Sequence, residues 1–488
     1  MRIASKDILI KIVAILIISY VFIRGYNISF THDESHTVLH YLRGNNWFIN
    51  VLSYKDRFPN NHYLNSLLTG ISILIFRSRN EIVLRLPNIL SSTVFLFSTY
   101  QISLLLKSKL QTAFFIFLST NLFVLEQFSL TRGYGIGLSF VMLAIYYNLK
   151  SSNLSQEEGR GVFFSVLYSA LAVLSNLTFL IFFVANHISL LLVTIIKRAL
   201  DKDYIKKVVK TIVLPVALID ILLFFFTVGP ILDQQKSGLF YYGGKSLVFD
   251  TFRSLIMSSY YLQLGTVNNI GINSSTILSD TVVIVMVLLS IFLLLIGLEK
   301  LLIKKEISTR SLYFISSLIS ISVSLSFVFF QNLVMKTPFP LGRTAIIFIP
   351  LFFVFSFCAI NFLPSNKNIL FLISIILCIH VLFSIKKANL KYTWTWQYDA
   401  NTKDVYYEIR KYDNKRVCLY WLYKPTFNYY DLINNTKIKY VGLKNVTNEN
   451  IEKCDFLYLP KGTILPTLSE YIILKDYKIS NSRLYARK

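Results

Sequence analysis

Long apolar runs recur along this chain at intervals too short to leave room for a soluble core. No other property of the sequence restricts its fold as much. A helix needs about 20 apolar residues to cross roughly 30 Å of bilayer hydrocarbon, and only helices and closed barrels satisfy their backbone there. About eleven such runs are legible: roughly 8–23, 82–106, 110–126, 132–149, 161–176, 177–197, 211–229, 279–299, 311–331, 343–363 and 368–385. Hydrophobic residues make up 54% of the 488, and mean hydropathy is +0.54, far above that of soluble domains. The expected fold is mainly α, a polytopic membrane protein. The first run is long and no small-residue cleavage site follows it, so it reads as a retained span and not a cleaved signal.

Charge orients these spans. The chain carries 50 Lys+Arg against 26 Asp+Glu, a formal charge of +24. On a membrane protein such an excess belongs to cytoplasmic loops and anionic lipid head groups, and no nucleic-acid motif is present. With the N-terminus inside, one alternating set of turns holds Lys107/Lys109, Lys150 to Arg160, Lys197 to Lys210, Lys300 to Arg310, and Lys367. Nearly every compact basic cluster then lands in the cytoplasm, as the positive-inside rule requires. The other set lands outside: the loop of about 24–81, Glu126 to Arg132, a loop of about 230–278, Met335 to Arg343, and the tail.

Two outer segments carry structure of their own. Tyr63 to Phe76 is apolar but short for a span, so it is expected along the interface, and Asp33 to Leu42 reads as a short helix before it. Beyond 385, helix signals at 402–412 and 425–434 alternate with strand signals at 415–420, 437–442, 455–459, 470–475 and 482–486. The chain therefore divides into a membrane body, 1–385, and a small extracytoplasmic α/β domain, 386–488. The tail has no Gly-rich phosphate loop and receives no catalytic role. Cys418 and Cys454 both lie in it, and an oxidising space permits them to pair. Cys358 and Cys378 fall inside apolar runs. No Cys/His cluster has zinc spacing, and no internal repeat of the kind transporters use is visible.

The residues able to carry chemistry gather on the outer face. Thr31-His32-Asp33-Glu34-Ser35 places two adjacent carboxylates at the mouth of the first span, in a chain poor in acid. Such a pair is costly to desolvate; a solvated turn, or a helix N-terminus that favours acids, is the plain alternative. Pro59-Asn60-Asn61-His62 precedes the interfacial helix. Glu81-Ile82-Val83-Leu84-Arg85-Leu86-Pro87 opens the second span. Glu126-Gln127-Phe128-Ser129-Leu130-Thr131-Arg132-Gly133-Tyr134 opens the fourth, and Pro338-Phe339-Pro340-Leu341-Gly342-Arg343-Thr344 opens the tenth.

The order and shared sidedness of these motifs over about 1–385 resemble the GT-C glycosyltransferases, specifically the family 39/83-like relatives of protein mannosyltransferases and lipid A aminoarabinose transferases. The resemblance implies transfer of a sugar from a polyprenyl-phosphate donor to a glycan, lipid or protein acceptor on the outer face of a bacterial cytoplasmic membrane. It assigns Asp33 as general base, by match to the family's first-loop Asp, with Glu34 beside it to orient the acceptor or a metal. Such a reaction needs a base for the acceptor and cations for the phosphate leaving group. Arg132 and Arg343 stand where outer loops enter the membrane and are the candidates for phosphate; snorkelling anchors are the plain alternative. Tyr134 offers a hydroxyl or joins an aromatic belt. Asn61 and His62 are candidate substrate contacts. Tyr242 and Lys245 lie in a long loop made mobile by Gly243-Gly244; a lid over the donor is one reading of it, and an ordinary interfacial loop is the plainer one. Glu81 and Arg85 are expected to pair or to anchor the second span. A divalent ion, Mg or Mn, is left open, because two carboxylates without a third ligand define no site. Arg57-Phe58 stands where the aminoarabinose transferases carry an acid and a lysine, so the resemblance does not extend to lipid A or to that donor sugar. A transporter or flippase of lipid-linked sugars and an O-antigen ligase or polymerase are the competing readings; the first predicts mid-span charges, of which Asp220 is the clearest.

Overall fold

The computed structural model describes residues 2–53, 61–153, 158–198, 214–238, 243–262, 274–304, 308–364, 366–412, 415–436, 438–444, 451, 454–463 and 470–488. Helix α1 (Arg2–Asn27) is followed by three helices of the first loop, α2 (His32–Tyr41), α3 (Trp47–Leu52) and α4 (Tyr63–Phe76), and then by α5 (Glu81–Leu104). The body continues with α6 (Ser108–Ser119), α7 (Leu122–Phe128), α8 (Gly133–Ser151), α9 (Glu158–Ser175), α10 (Leu180–Arg198) and α11 (Leu214–Lys236). It ends with α12 (Arg253–Ser259), α13 (Ser274–Lys304), α14 (Thr309–Met335), α15 (Phe348–Phe362) and α16 (Lys367–Lys387).

Helices occur at all eleven expected positions, but they are not eleven equal spans. Among the described residues eight helices are long and apolar enough to cross a membrane, and a ninth crossing arises if α6 and α7 count as one. That pair is bent by 60°, which corrects the single straight span expected at 110–126. Asn121 sits at the break, and its side chain accepts from the backbone N–H of Phe123 and Val124 at 3.1 Å each, restarting the helix in a new direction. Helices α8 and α9 are not among the eight. The first is buried almost all round, and Gly133 lets its start touch a neighbour: a Cβ there would lie 1.7 Å from the Ser175 carbonyl oxygen.

The surface is apolar and polar groups pair inside, as lipid solvent demands. Phe225, Phe371, Leu382 and Ile385 point outward. Helix α4 is inverted relative to a soluble amphipathic helix: Asn65, Ser66, Thr69 and Ser72 are buried, while Leu74, Ile75 and Phe76 are exposed. Inside, Asn148 donates to Asn186 at 2.8 Å and accepts from Ser316 at 2.6 Å, joining α8, α10 and α14. Such bonds hold helices together where the hydrophobic effect supplies no drive. Asp220 pairs with His187 at 3.1 Å on α11 and α10 and remains partly exposed.

The basic turns close against helix ends. At one end Lys107 donates to the Leu363 carbonyl, Lys300 to that of Phe362, and Lys197 to those of Ser151 and Asn153. Basic side chains here meet the carbonyls that close helix C-termini. At the other end Gly244 pairs with Phe339, and Asn121 bonds Ser259.

The tail folds as its alternation indicates. Helix α17 (Thr402–Ile409), strand β1 (Arg416–Tyr420), helix α18 (Lys424–Asn434) and strands β2 (Lys439–Leu443), β3 (Phe456–Pro460), β4 (Tyr471–Tyr477) and β5 (Ser482–Arg487) follow in order. They form a mixed sheet of order β2-β1-β3-β5-β4, with β1 parallel to β2 and β3 and with β5 antiparallel to β3 and β4. Its helices face the first outer loop. Phe30 stacks on Tyr429 at 3.9 Å, and Val38, Tyr41 and Leu84 share one buried cluster with Tyr406, Phe427 and Tyr430. Cys418 of β1 is joined to Cys454, 36 positions later, just before β3. Closing a loop of this length contributes about 2–4 kcal/mol, chiefly by restricting the unfolded chain. Cys418→Ser is therefore expected to lower the stability of the tail by this amount and to expose it to protease, as limited proteolysis with and without reductant will show.

Candidate active site

The site is built outward from one buried ion pair. Thr31 caps α2: its hydroxyl and backbone N–H both bond the Glu34 carboxylate at 3.0 Å, closing a capping box. Glu34 is fully buried and takes Arg85 of α5 in a two-pronged bond, at 2.9 and 2.7 Å. The Thr131 backbone N–H donates to the same carboxylate at 2.7 Å. Arg85 spends its remaining N–H groups on the carbonyls of Gly25, Ile28 and Ser29, at 2.8–3.1 Å. The end of α1, the start of α2, α5 and the entry to α8 are thus fixed to one another. Arg85 finds its partner in Glu34; Glu81 pairs instead with Lys403 of α17 at 2.6 Å and accepts from Tyr430.

With Glu34 held against Arg85, its neighbour Asp33, about 100° around α2, has different partners. It meets the two arginines that the sequence singled out. Asp33 Oδ2 lies 3.3 Å from Arg132 and 3.1 Å from Arg343. Arg132 is the residue after Thr131, so the Glu34 bond places it. Arg343 follows Gly342, whose φ of +51° suits glycine and whose N–H donates to Ser254 at 2.8 Å. Its guanidinium stacks on Trp396, 4.5 Å from the ring centre. Burial raises the Asp33 carboxyl, but Arg132 and then Arg343 outweigh it and hold the group down at about 2.

The other expected residues distribute as follows. His62 is 5% exposed and meets Tyr134 edge-on at 5.8 Å; burial, and then Arg132, push its imidazole well below the usual histidine range. Tyr134 is itself buried. Asn61 turns away from Asp33: it donates to the Val51 carbonyl at 2.7 Å and accepts from Ser66, tying α3 to α4. Lys245 exposes its side chain, and its backbone N–H is held by Asp250 at 2.8 Å; Gly244 beside it pairs with Phe339, on the segment that leads to Arg343. Tyr242, Pro59 and Asn60 lie outside the described residues. Among the described residues no group of three or more His, Cys, Asp or Glu side chains is placed to hold a metal ion.

Sequence reasoning missed the contribution of the tail. Trp396 closes over Arg343, and Asp399 accepts the His32 backbone N–H at 2.7 Å. Burial lifts the Asp399 carboxyl well above the usual range. Nothing in Thr393-Trp394-Thr395-Trp396 separates a site residue from an interfacial tryptophan belt, because both demand an aromatic near the outer membrane surface. It also missed a second buried pair, Arg24 with Glu126 at 3.1 Å. Glu126 also accepts from the Tyr261 hydroxyl and the Trp394 backbone N–H, so this pair ties the start of the tail to α1 and α7.

No family model matches the sequence, and no curated protein matches it. Among solved structures the chain is similar to ArnT from Cupriavidus metallidurans in the apo state, with a TM-score of 0.41 and 8% identity over 100% of this chain and 98% of that one. It is likewise similar to ArnT from Cupriavidus metallidurans bound to undecaprenyl phosphate, with a TM-score of 0.42 and 9% identity over 98% and 97%. Both alignments run through the membrane body and the tail together.

Removing one partner of a buried ion pair leaves the other charge stranded, at a cost of about 3–5 kcal/mol. Arg85→Met is therefore expected to destabilise the protein by this amount, more than Arg343→Met does at the partly exposed site. Thermal unfolding of the two variants in the same detergent makes the comparison.

Proposed function

We propose that this protein is an integral-membrane glycosyltransferase that moves a sugar from a polyprenyl-phosphate-linked donor to an acceptor on the extracytoplasmic face of a bacterial cytoplasmic membrane. One observation carries the reading: three loops that are far apart in sequence bring one carboxylate and two arginines into contact at a single membrane end. A snorkelling arginine needs no carboxylate, and a solvated turn does not recruit one buried and one partly buried guanidinium group. A base beside two cations is what transfer from a lipid-linked phosphate requires.

In this reading Arg132 and Arg343 receive the donor phosphate. Asp33 takes the proton of the acceptor hydroxyl or amine as that atom bonds the anomeric carbon. The bond from that carbon to the phosphate oxygen breaks, and its electron pair leaves with the polyprenyl phosphate. The leaving group gains one negative charge, which the two arginines stabilise most at the moment it forms. Glu34 supports this arrangement from the next position of α2, a positioning role that its saturated hydrogen bonds favour over contact with an acceptor or a metal. His187 and Asp220, the polar pair within the spans, lie partly exposed on two neighbouring helices, which gives a transport path no support.

Asp33→Asn keeps the shape of the side chain and removes its basicity. Transfer of sugar from a polyprenyl-phosphate donor is expected to fall by 10²-fold or more, the usual worth of a general base; activity within a few-fold of the parent removes Asp33 from this role. Sidedness has its own test. The paired cysteines of the tail fit an oxidising compartment, so a cysteine placed at exposed Lys411, with Cys358 and Cys378 replaced by alanine, is expected to react with an impermeant maleimide in intact spheroplasts. Labelling only after lysis places the tail, and the site beneath it, in the cytoplasm.

A further inference from the structure

We propose that the phosphate of the donor displaces Asp33 from its two arginines, so that donor binding itself releases the carboxylate to act as a base. This rests on the assignment of Asp33, Arg132 and Arg343 made above and adds an order of events to it.

The geometry is that of a site held by a substitute. A single oxygen, Asp33 Oδ2, lies within 3.3 Å of both guanidinium groups, where a phosphate oxygen bridging two arginines belongs. The carboxylate fills this place incompletely. Arg132 Nε is buried with no hydrogen-bond partner, and so is His62 Nε2; the two residues are 2% and 5% exposed. The remaining bonds of Arg132 are long, 3.4 Å to the Asp33 carbonyl and 3.5 Å to Thr37. Buried polar atoms without partners are uncommon and costly. A phosphodiester has two charged oxygens and two ester oxygens, enough to engage Arg132 through Nε and its terminal nitrogen and still reach Arg343. In its Nε2–H form His62 supplies one more donor.

The charge balance agrees. Two arginines and one carboxylate leave a single positive charge. Among the groups facing them, burial pushes His62 and His36 well below the usual histidine range and lifts Asp399 and Tyr398 above their usual ranges, and His32 is bonded through Nδ1 to the Leu422 carbonyl. A phosphodiester brings one negative charge and neutralises the site.

The exchange has a chemical consequence. At rest the arginines make Asp33 a weak base. Once they turn to phosphate, burial becomes the dominant influence on the carboxyl and raises its affinity for a proton. Acceptor deprotonation is thereby withheld until a donor is in place. After transfer the polyprenyl phosphate, with its added charge, keeps the arginines until it leaves and Asp33 reclaims them.

The test is the affinity of a short prenyl methyl phosphodiester, a monoanion throughout pH 5 to 8, for the full-length protein in nanodiscs. Asp33→Asn removes the competitor and is expected to bind this probe about tenfold more tightly than the parent; Arg343→Ala is expected to bind it about tenfold more weakly. If Arg343→Ala weakens binding and Asp33→Asn leaves it unchanged or weakens it, the exchange is wrong and the phosphate assignment stands. If neither substitution alters affinity, the phosphate assignment itself fails, and the exchange with it. A measurement on the parent covers a poorly folding variant: calorimetry at pH 6 in buffers of different ionisation enthalpy is expected to show uptake of a fraction of a proton on binding, as the Asp33 carboxyl rises toward the working pH while most of it stays ionised to act as base. Its absence contradicts the arming of Asp33.

Discussion

Glu34 and Arg85 meet where no water reaches, and most of this end of the molecule is arranged around them. An ion pair in such a place costs several kcal/mol per charge in lost hydration, and mutual attraction repays this only when the remaining hydrogen bonds are satisfied. Here they are satisfied by the connecting backbone itself: three carbonyls at the end of α1 and the Thr131 N–H. The pair therefore does more than balance two charges. It converts a flexible linker between a span and a loop into a fixed frame, and the adjacent residues Asp33 and Arg132 inherit their positions from it. Stability spent on the buried acid becomes geometry at its partly buried neighbour.

Two kinds of polar burial serve different ends in this protein. Deep in the bundle Asn148, Asn186 and Ser316 are neutral and satisfy one another; they join helices that lipid would otherwise solvate equally well apart. At the end that carries Asp33 the buried groups are charged. Arg24 with Glu126 gathers α1, α7 and the segment after α16, while Arg85 with Glu34 gathers α1, α2, α5 and the approach to α8. Charged pairs stand where loops must be held in one conformation, and amides stand where helices need only stay together.

The sequence was most legible where local chemistry decides. The limits of α4 and the elements of the tail follow from hydrophobic period and turn residues, and the strands fall within a residue or two of their expected places. The even sorting of Lys107, Lys197 and Lys300 to one end follows from charge alone. Legibility ended where a long-range partner decides. The bend at Asn121 depends on a capping side chain inside an apolar run that otherwise reads as continuous. Glu34 and Asp33 look alike in the chain, and only Arg85, Arg132 and Arg343 separate them. Trp396 was unreadable as a site residue because a membrane-surface tryptophan and a tryptophan beneath an arginine have the same local sequence.

The contact between the two ends of the chain bears on how the protein is made. Phe30 donates to the Tyr430 hydroxyl across 400 positions, and Arg343 and Trp396 complete a site begun at Asp33. Domains fold as they emerge, N-terminal first, but this site cannot. During synthesis the first loop is delivered with its carboxylates and waits while the later spans are inserted. Its last partners arrive only when the tail is made. Synthesis of the chain and assembly of this cluster thus finish together, and an interrupted chain carries the acid without Arg343 and Trp396.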